Sequence, residues 1–339
     1  MGRTIYSNHG RVLLGKGITL TPYYIARLHE LGITIVYIDD EETRDIIIND
    51  VISDEHRRKA TISIEQSCES VRIGKDFNAF EVINTISHLV EDILFQKNIL
   101  LSLMDMRSFD NQMFSHAVSV SVLSTVLGKA LRLDRENLDA LAVGAFLHDI
   151  GTVKLPKELI SKRTPFTPQE MALYQTHTKH GFDILREKRE LSLLSAHIAF
   201  QHHEWQNGSG YPRQLTGDHI HSLAQIVGIA DFYDNLMHEG PGHSRTLPNE
   251  AYEIIMASAN KLFNHDLVIA FLKLVAAYPT GCTVKLSSGE IGIIVDQNKS
   301  LPTRPIVRVL TGDSNFAYVQ VKEYNLVQDL TTFIEGILE

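Results

Sequence analysis

Several things that would assign a class at once are scarce in these 339 residues. There are two cysteines, Cys68 and Cys282, far apart and in no CxxC spacing. That excludes a disulfide framework and a thiolate metal site, and leaves buried thiols in a reducing compartment as the expectation. Cationic excess is missing too: 32 Lys and Arg against 41 Asp and Glu give a formal charge of −9. A broad basic face for DNA or RNA is therefore not expected, nor a nucleic acid polymer as partner. No apolar run approaches the roughly 20 residues that span a bilayer, and the stretch from Met1 to Ser7 lacks the apolar core of a secretion signal. A cytoplasmic protein without a membrane span is expected. At 44% hydrophobic and 22% charged, the chain has material for a sizeable core and is not disordered in bulk.

Histidine, by contrast, is abundant. Of 16 in the chain, eleven lie between His116 and His243, a local enrichment that directs attention to metal chemistry.

The elements change character along the chain. Thr4–Tyr6 and Arg11–Leu14 read as short strands around Asn8 and Gly10. Thr21-Pro22 opens a helix that runs to Leu31 and stops at Gly32, and Thr34–Ile38 reads as another strand. From about Glu65 the apolar spacing turns helical, most clearly over Phe80–Leu94. Asp134 caps a helix ending near Asp149-Ile150-Gly151, and Thr167-Pro168 opens the next. Leu223–Met237 and Asn249–Leu262 are two more, and Asp266 is expected to cap a last one ending near Tyr278-Pro279. Beyond Pro279, Thr283–Leu286 and Ile291–Val295 flank Ser287-Ser288-Gly289 as a hairpin, with Pro305–Leu310 and Ala317–Val321 as further strands. No internal repeat stands out.

Within the helical region, potential ligands recur: His116, His148-Asp149, His177, His202-His203 and Asp231. Each has an ordinary reading. A lone helical histidine is commonly a core or surface residue, His148-Asp149 could cap a buried helix end, and His202-His203 could be partly exposed. Asp231 is harder to dismiss, because it interrupts the apolar run Ile226–Tyr233 and a buried carboxylate needs a partner. Taken together, imidazoles and carboxylates in one helical bundle suit iron, manganese, zinc or cobalt.

The order His, His-Asp, His, His-His, Asp resembles the HD superfamily of metal-dependent phosphohydrolases. Leu147–Gly151 (LHDIG) is similar to its HD motif, and His202–Pro212 (HHEWQNGSGYP) resembles the signature of the HD-GYP branch, with Asn207 where Asp is usual. The segments after His177 and around Asp231 are similar as well; the resemblance covers roughly 109–278 and extends weakly into the tail. It implies a mainly α fold: an HD-type helical bundle over 63–278, a small N-terminal α/β segment over 1–62 and a small β-rich tail over 279–339. It implies two divalent ions, iron or manganese first. One would take His116, His148, Asp149 and Asp231, the other His177, His202 and His203, with Asp149 bridging. It implies hydrolysis of cyclic di-GMP to pGpG or GMP by a hydroxide held between the ions. Asp149, Lys154 and Glu204 are the expected catalytic positions, and Thr152, Lys154, Gly210, Tyr211, Pro212 and Arg245 the expected substrate contacts. A diguanylate cyclase, a regulatory protein or a second copy of the chain are the protein partners to consider.

Three positions depart from the family pattern. Thr152 stands where Lys commonly follows HDIG, with Lys154 two residues on as its stand-in. Gln112 replaces a glutamate that holds a third ion in some relatives, which favours two ions. The segment His238–Arg245 replaces an arginine-rich one, leaving Arg245 as a phosphate contact. A cyclic di-GMP sensor without catalysis, or a phosphohydrolase of another cyclic dinucleotide or nucleotide, are the competing readings.

Overall fold

A short antiparallel pair, β1 (Ile5–Tyr6) and β2 (Val12–Leu14), opens the chain and is followed by α1 (Pro22–Glu30). The structure, a computed structural model, describes all residues except 3, 7–11, 32, 34–35, 40–44, 47–50, 97–98, 102–111, 243, 299, 312–319 and 339, and the backbone alone of 6, 112, 310–311 and 320. As the sequence predicts, the Thr21 hydroxyl accepts from Tyr24 N and Pro22 occupies the first turn of α1. Gly32, Thr34 and Ile35 lie outside the described residues; Val36–Ile38 form no strand, although Gly2 N donates to Tyr37 O at 2.7 Å.

The helical unit runs through α2 (Asp54–Arg72), α3 (Ala79–Phe95), α4 (Gln112–Ala130), α5 (Arg135–Phe146), a 3-10 turn over Ile150–Lys154, α6 (Lys157–Ile160), α7 (Pro168–Gln175), α8 (His177–Arg186), α9 (Leu193–Gln201), α10 (Ser222–Leu236), α11 (Pro248–Ala257) and α12 (His265–Leu272). The helix starts follow side-chain chemistry. Ser53, Asn78, Asp134 and Asn264 each accept a backbone N–H of the first turn, and Thr167 with Glu170 forms a reciprocal capping box. Four expectations are corrected. The helical pattern begins with α2 at Asp54 rather than at about Glu65. α11 stops at Ala257 rather than Leu262. α12 is capped by Asn264 rather than Asp266, and it ends at Leu272.

α4 is the axis of the bundle. Its small and β-branched residues are apolar on all sides, which suits a helix enclosed all round, and residues 117–128 are buried. α5, α10, α2 and α3 pack around it. Two of its buried hydroxyls are satisfied locally: Ser121 Oγ donates to Ala142 O of α5 at 2.9 Å, and Thr125 Oγ1 to Ser121 O at 2.6 Å. Leu123, Leu127, Leu141 and Leu147 are fully enclosed here. Each contributes roughly 1.5–3 kcal/mol by leaving water. α8 and α9 pack against each other, with α8 lying on the 3-10 turn and α9 on α5. That packing brings the ends of α5 and α9, the start of α8 and the middle of α10 to one place.

The tail is a five-stranded antiparallel sheet in the order β6-β5-β4-β3-β7, with its own small core around Val284, Leu286, Ile294 and Val307. β3 (Thr283–Leu286) and β4 (Ile291–Asp296) form the expected hairpin. β5 is Ile306–Thr311, and β6 is Gln320–Asn325, downstream of the expected Ala317–Val321; 317–319 lie outside the described residues. β7 (Ile334–Ile337), not anticipated, closes the far edge on β3. Among the described residues no helix is long and apolar enough to cross a membrane.

Candidate metal centre

All seven predicted ligands meet. Their donor atoms fall into two groups, His116, His148 and Asp231 in one and Asp149, His177, His202 and His203 in the other, with the atoms of each group within 4.8 Å of one another. α4 carries His116, the turn after α5 carries His148 and Asp149, α8 opens on His177, α9 runs into His202-His203, and Asp231 sits in the middle of α10.

The imidazoles are aimed by their rear nitrogens. His148 Nδ1–H donates to Ala145 O at 2.7 Å, His177 Nδ1–H to Tyr174 O at 2.7 Å, and His202 Nδ1–H to Ala199 O at 3.0 Å. A carbonyl accepts only from N–H, so in each neutral ring the lone pair is on Nε2. Those three Nε2 atoms, with Asp149 Oδ1, are buried and have no hydrogen-bond partner. Leaving such groups unpaired costs about 1–3 kcal/mol each. Four of them pointing at common points is what a cation site requires.

Spacing agrees. His116 Nε2 is 3.1 Å from Asp231 Oδ1, His177 Nε2 is 3.3 Å and His202 Nε2 3.6 Å from Asp149 Oδ1, and His148 Nε2 is 3.5 Å from Asp149 Oδ2. Neighbouring donors at about 2.0–2.2 Å from a shared ion lie about 2.8–3.6 Å apart in octahedral or tetrahedral arrangements. Asp149 thus turns one oxygen to each group. Asp231 does the same, with Oδ1 3.7 Å from His148 Nε2 and Oδ2 3.7 Å from His203 Nδ1, a second span that the sequence reading assigned to Asp149 alone. The residues present fit divalent metal.

Electrostatics point the same way. Burial alone would raise both aspartates. The His148, His202 and His177 imidazoles outweigh it for Asp149, and His116 and His148 for Asp231, so both are held well below the usual carboxylate range. Burial pushes His177 down to about 4 and lowers His203, which keeps their lone pairs available. His116 goes the other way: burial is overcome by Asp231 and Asp234, which raise it well above the ordinary imidazole range. A cation at this ring displaces a proton as it binds.

Asp234 was not singled out by the sequence. It is 1% exposed, and its Oδ2 accepts His116 Nδ1–H at 2.7 Å while lying 3.3 Å from His238 Nδ1. Asn235 Nδ2 donates to Asp231 Oδ1 at 2.7 Å. The signal was the spacing Asp231, Asp234, Asn235 on one helix face. A carboxylate behind a ligating histidine fixes its tautomer and raises its basicity. Asp234→Asn is expected to weaken metal binding about 10–100-fold while the fold persists. Metal titration of the stripped chain measures this, and unchanged affinity removes Asp234 from the site.

The loop after His203 is fastened to the centre. Glu204, 3% exposed, accepts Arg213 N at 2.6 Å and Leu215 N at 2.8 Å, so its carboxylate anchors the loop and does not point among the ligands. Tyr211 N donates to His203 O at 3.0 Å, and the Tyr211 ring lies on the His203 ring with centroids 4.6 Å apart. A Cβ at Gly210 would sit 2.4 Å from His203 O, so only glycine allows this approach. Asn207 Oδ1 accepts Ser209 N and Oγ, a turn contact that an amide oxygen makes as well as a carboxylate does. Pro212 follows Tyr211 through a cis bond.

The remaining expected contacts are dispersed. Thr152 is buried, with its hydroxyl donating to Asp149 O at 2.7 Å; it braces the ligand turn. Lys154 is exposed at the end of that turn. Arg245 is half-buried and close enough to Cys282 to act on its thiol, at the junction with the tail. The Gln112 side chain lies outside the described residues.

Comparison with known proteins places this geometry. The HD domain family matches residues 88–267, and a KOW domain associated with the HD domain matches 283–339. The chain is 28% identical over 251 residues to the cyclic di-GMP phosphodiesterase PA4108 of Pseudomonas aeruginosa, covering 74% of this chain and 60% of that one. It is 33% identical over 187 residues to a cyclic di-GMP phosphodiesterase of Thermotoga maritima, covering 54% and 50%, and so spans half to two thirds of the length of these relatives. The solved structure of Bd1817, an HDG"Y"P protein from Bdellovibrio bacteriovorus, matches with 21% identity and a TM-score of 0.47 over 66% of this chain and 74% of that one. The HD domain match takes in His116 through Asp231, all seven donors of the centre, and the chain belongs to the HD domain family.

Proposed function

We propose that the chain is a phosphodiesterase that hydrolyses cyclic di-GMP at two divalent cations, iron or manganese. The carrying observation is the pair of donor groups spanned by Asp149 and Asp231, with three histidine nitrogens and a carboxylate oxygen buried and unpartnered. Such ions, when bound, supply Lewis acidity at a phosphoryl oxygen and lower the pKa of water at the site. The chain's own residues position and shield. Asp234 and the carbonyls behind His148, His177 and His202 hold the rings in register, and Glu204 pins the loop that lays Tyr211 over His203. Lys154, at the exposed end of the Asp149 turn, is the cation assigned to substrate phosphate.

Cyclic di-GMP as substrate is supported by what the two relatives above are named for. A second substrate, 3'3'-cGAMP, is favoured by 32% identity over 160 residues to a 3'3'-cGAMP-specific phosphodiesterase of Vibrio cholerae. The two free, buried cysteines fit a reducing cytoplasm. The test is anaerobic purification, elemental analysis, incubation with each dinucleotide and chromatography of products. About two ions per chain and conversion of cyclic di-GMP to pGpG or GMP are expected. A metal-loaded chain that binds cyclic di-GMP tightly and cleaves neither dinucleotide is a sensor, and the proposal fails.

A further inference from the structure

The centre is covered on most sides and open on one. The side chains of His148, His177 and His202 are fully covered, whereas those of Asp149 and His203, the most exposed of the seven donors, are 21% and 18% exposed. A ligand arriving from solvent therefore meets the centre at Asp149 and His203. Two tyrosines border that opening, each half-buried. Tyr211 lies on His203, and its ring is also edge-on to His177, with centroids 6.2 Å apart. Tyr174 borders His177 as well, with centroids 4.9 Å apart and the ring planes inclined at 53°.

The position of Tyr174 is fixed by its neighbours. It lies in the last turn of α7, and its carbonyl is the acceptor that aims His177 Nδ1–H. Phe166 backs its ring, with centroids 5.3 Å apart at 35°. Met171 and Leu173 of the same short helix are exposed, while Tyr174 is turned inward. Packing on His177 and Phe166 accounts for an aromatic ring here but not for a hydroxyl. Among the described residues neither the Tyr174 nor the Tyr211 hydroxyl has a hydrogen-bond partner. The charges of Asp149 and Asp231 act on both phenol oxygens, and Tyr174 acts on Tyr211, so both hydroxyls stand beside the donor groups.

We infer that Tyr174 contacts the substrate: its hydroxyl donates a hydrogen bond to a phosphoryl oxygen of a phosphodiester held at the centre. The inference rests on the phosphodiesterase reading and adds a donor from outside the motifs of the sequence. A phenol, with an ordinary pKa of about 10, keeps its proton at neutral pH and so has an O–H to give. It is also uncharged. A lysine or arginine at this place would pair with Asp149 or Asp231 and compete with cations for them, whereas a phenol adds a donor without adding positive charge. Negative charge gathers on the phosphoryl oxygens as the diester is attacked, and a donor already fixed in place by Phe166 and His177 strengthens its bond as that happens.

The experiment compares the wild type with Tyr174→Phe, which keeps the ring and removes the oxygen, in the full chain loaded with manganese. Metal content and thermal unfolding are measured first, then affinity for inorganic phosphate by calorimetry, then kcat/KM for bis(p-nitrophenyl) phosphate. Metal content and stability are expected to be unchanged. Phosphate binding should weaken about tenfold, and kcat/KM should fall about tenfold or more. Unchanged phosphate affinity overturns the inference, and so does a wild type that binds no phosphate. A Tyr174→Phe chain that unfolds or sheds metal also overturns it, because the hydroxyl is then a brace for His177. If the wild type cleaves neither cyclic dinucleotide but the losses on phosphate and bis(p-nitrophenyl) phosphate are seen, the Tyr174 contact stands and the cyclic dinucleotide reading falls. If Tyr174→Phe cleaves cyclic di-GMP at the wild-type rate and binds phosphate equally well, that reading stands and the contact falls.

Discussion

Asp149→Ala is expected to abolish metal retention and phosphodiesterase turnover together. Asp149 is the one side chain with Oδ1 toward His177 and His202 and Oδ2 toward His148. Its loss takes a donor from each group and the negative charge that offsets two cations. A drop in kcat of about a thousandfold or more, about 4 kcal/mol of barrier, is the expected size. His177→Ala removes a donor from one group only and should lower metal content by about one ion per chain while leaving the other held. Elemental analysis and single-turnover assays on the same preparations make the comparison. Asp149→Ala with full metal and normal turnover would show that its carboxylate does not span the two groups.

Gly151→Ala carries the second large effect, and it acts through backbone. A Cβ at Gly151 would lie 2.0 Å from His177 O and 2.4 Å from Gly181 N. Neither is the end of a flexible side chain, so the ligand turn and α8 must move apart. α8 opens on His177, and the separation pulls that ring away from Asp149. A destabilisation of about 3 kcal/mol or more and loss of metal from the His177 group are expected. Gly181→Ala is the matched control, because its Cβ would meet the Ala199 side chain at 3.3 Å and backbone no nearer than His148 O at 3.5 Å, which is ordinary contact distance. Thermal unfolding and metal content of both variants decide it: Gly151→Ala at wild-type stability with full metal contradicts the close approach.

Much of the centre was readable in the sequence because the chemistry restricts residue type. An aspartate amid Ile226–Tyr233, or a His-Asp pair closing an apolar helix, has few ways to be satisfied when buried. Asp234 escaped because a carboxylate one turn further along reads equally well as solvated; its meaning depends on His116 of α4, 118 residues away. Thr152 reads as a lost lysine in the sequence, yet in three dimensions its hydroxyl is committed to Asp149 O. The start of α2 was missed for a related reason. Its buried face includes Thr61, Ser63 and Ser67, whose polar character hides the helical period. Thr61 and Ser67 satisfy their hydroxyls on carbonyls four residues back, at Arg57 and Ser63. Asn264 and Asp266 are both good caps two residues apart, and the choice between them is made by the local backbone. β7 pairs with β3 across almost the whole tail, a non-local partner that no turn signal announces.

The donors are drawn from five segments between His116 and Asp231, and no two groups of ligands share a helix. A cation seated among them works as a clasp on the chain, closing loops that span much of the domain without any covalent bond. Because the unfolded chain has no such arrangement, an ion at a hundred times its dissociation constant adds about 2.7 kcal/mol to the resistance to unfolding. The lifetime of the protein in a cell, and not only its activity, then follows the supply of metal. Under the proposed activity, a shortage of metal lowers turnover twice over, through idle molecules and through fewer of them.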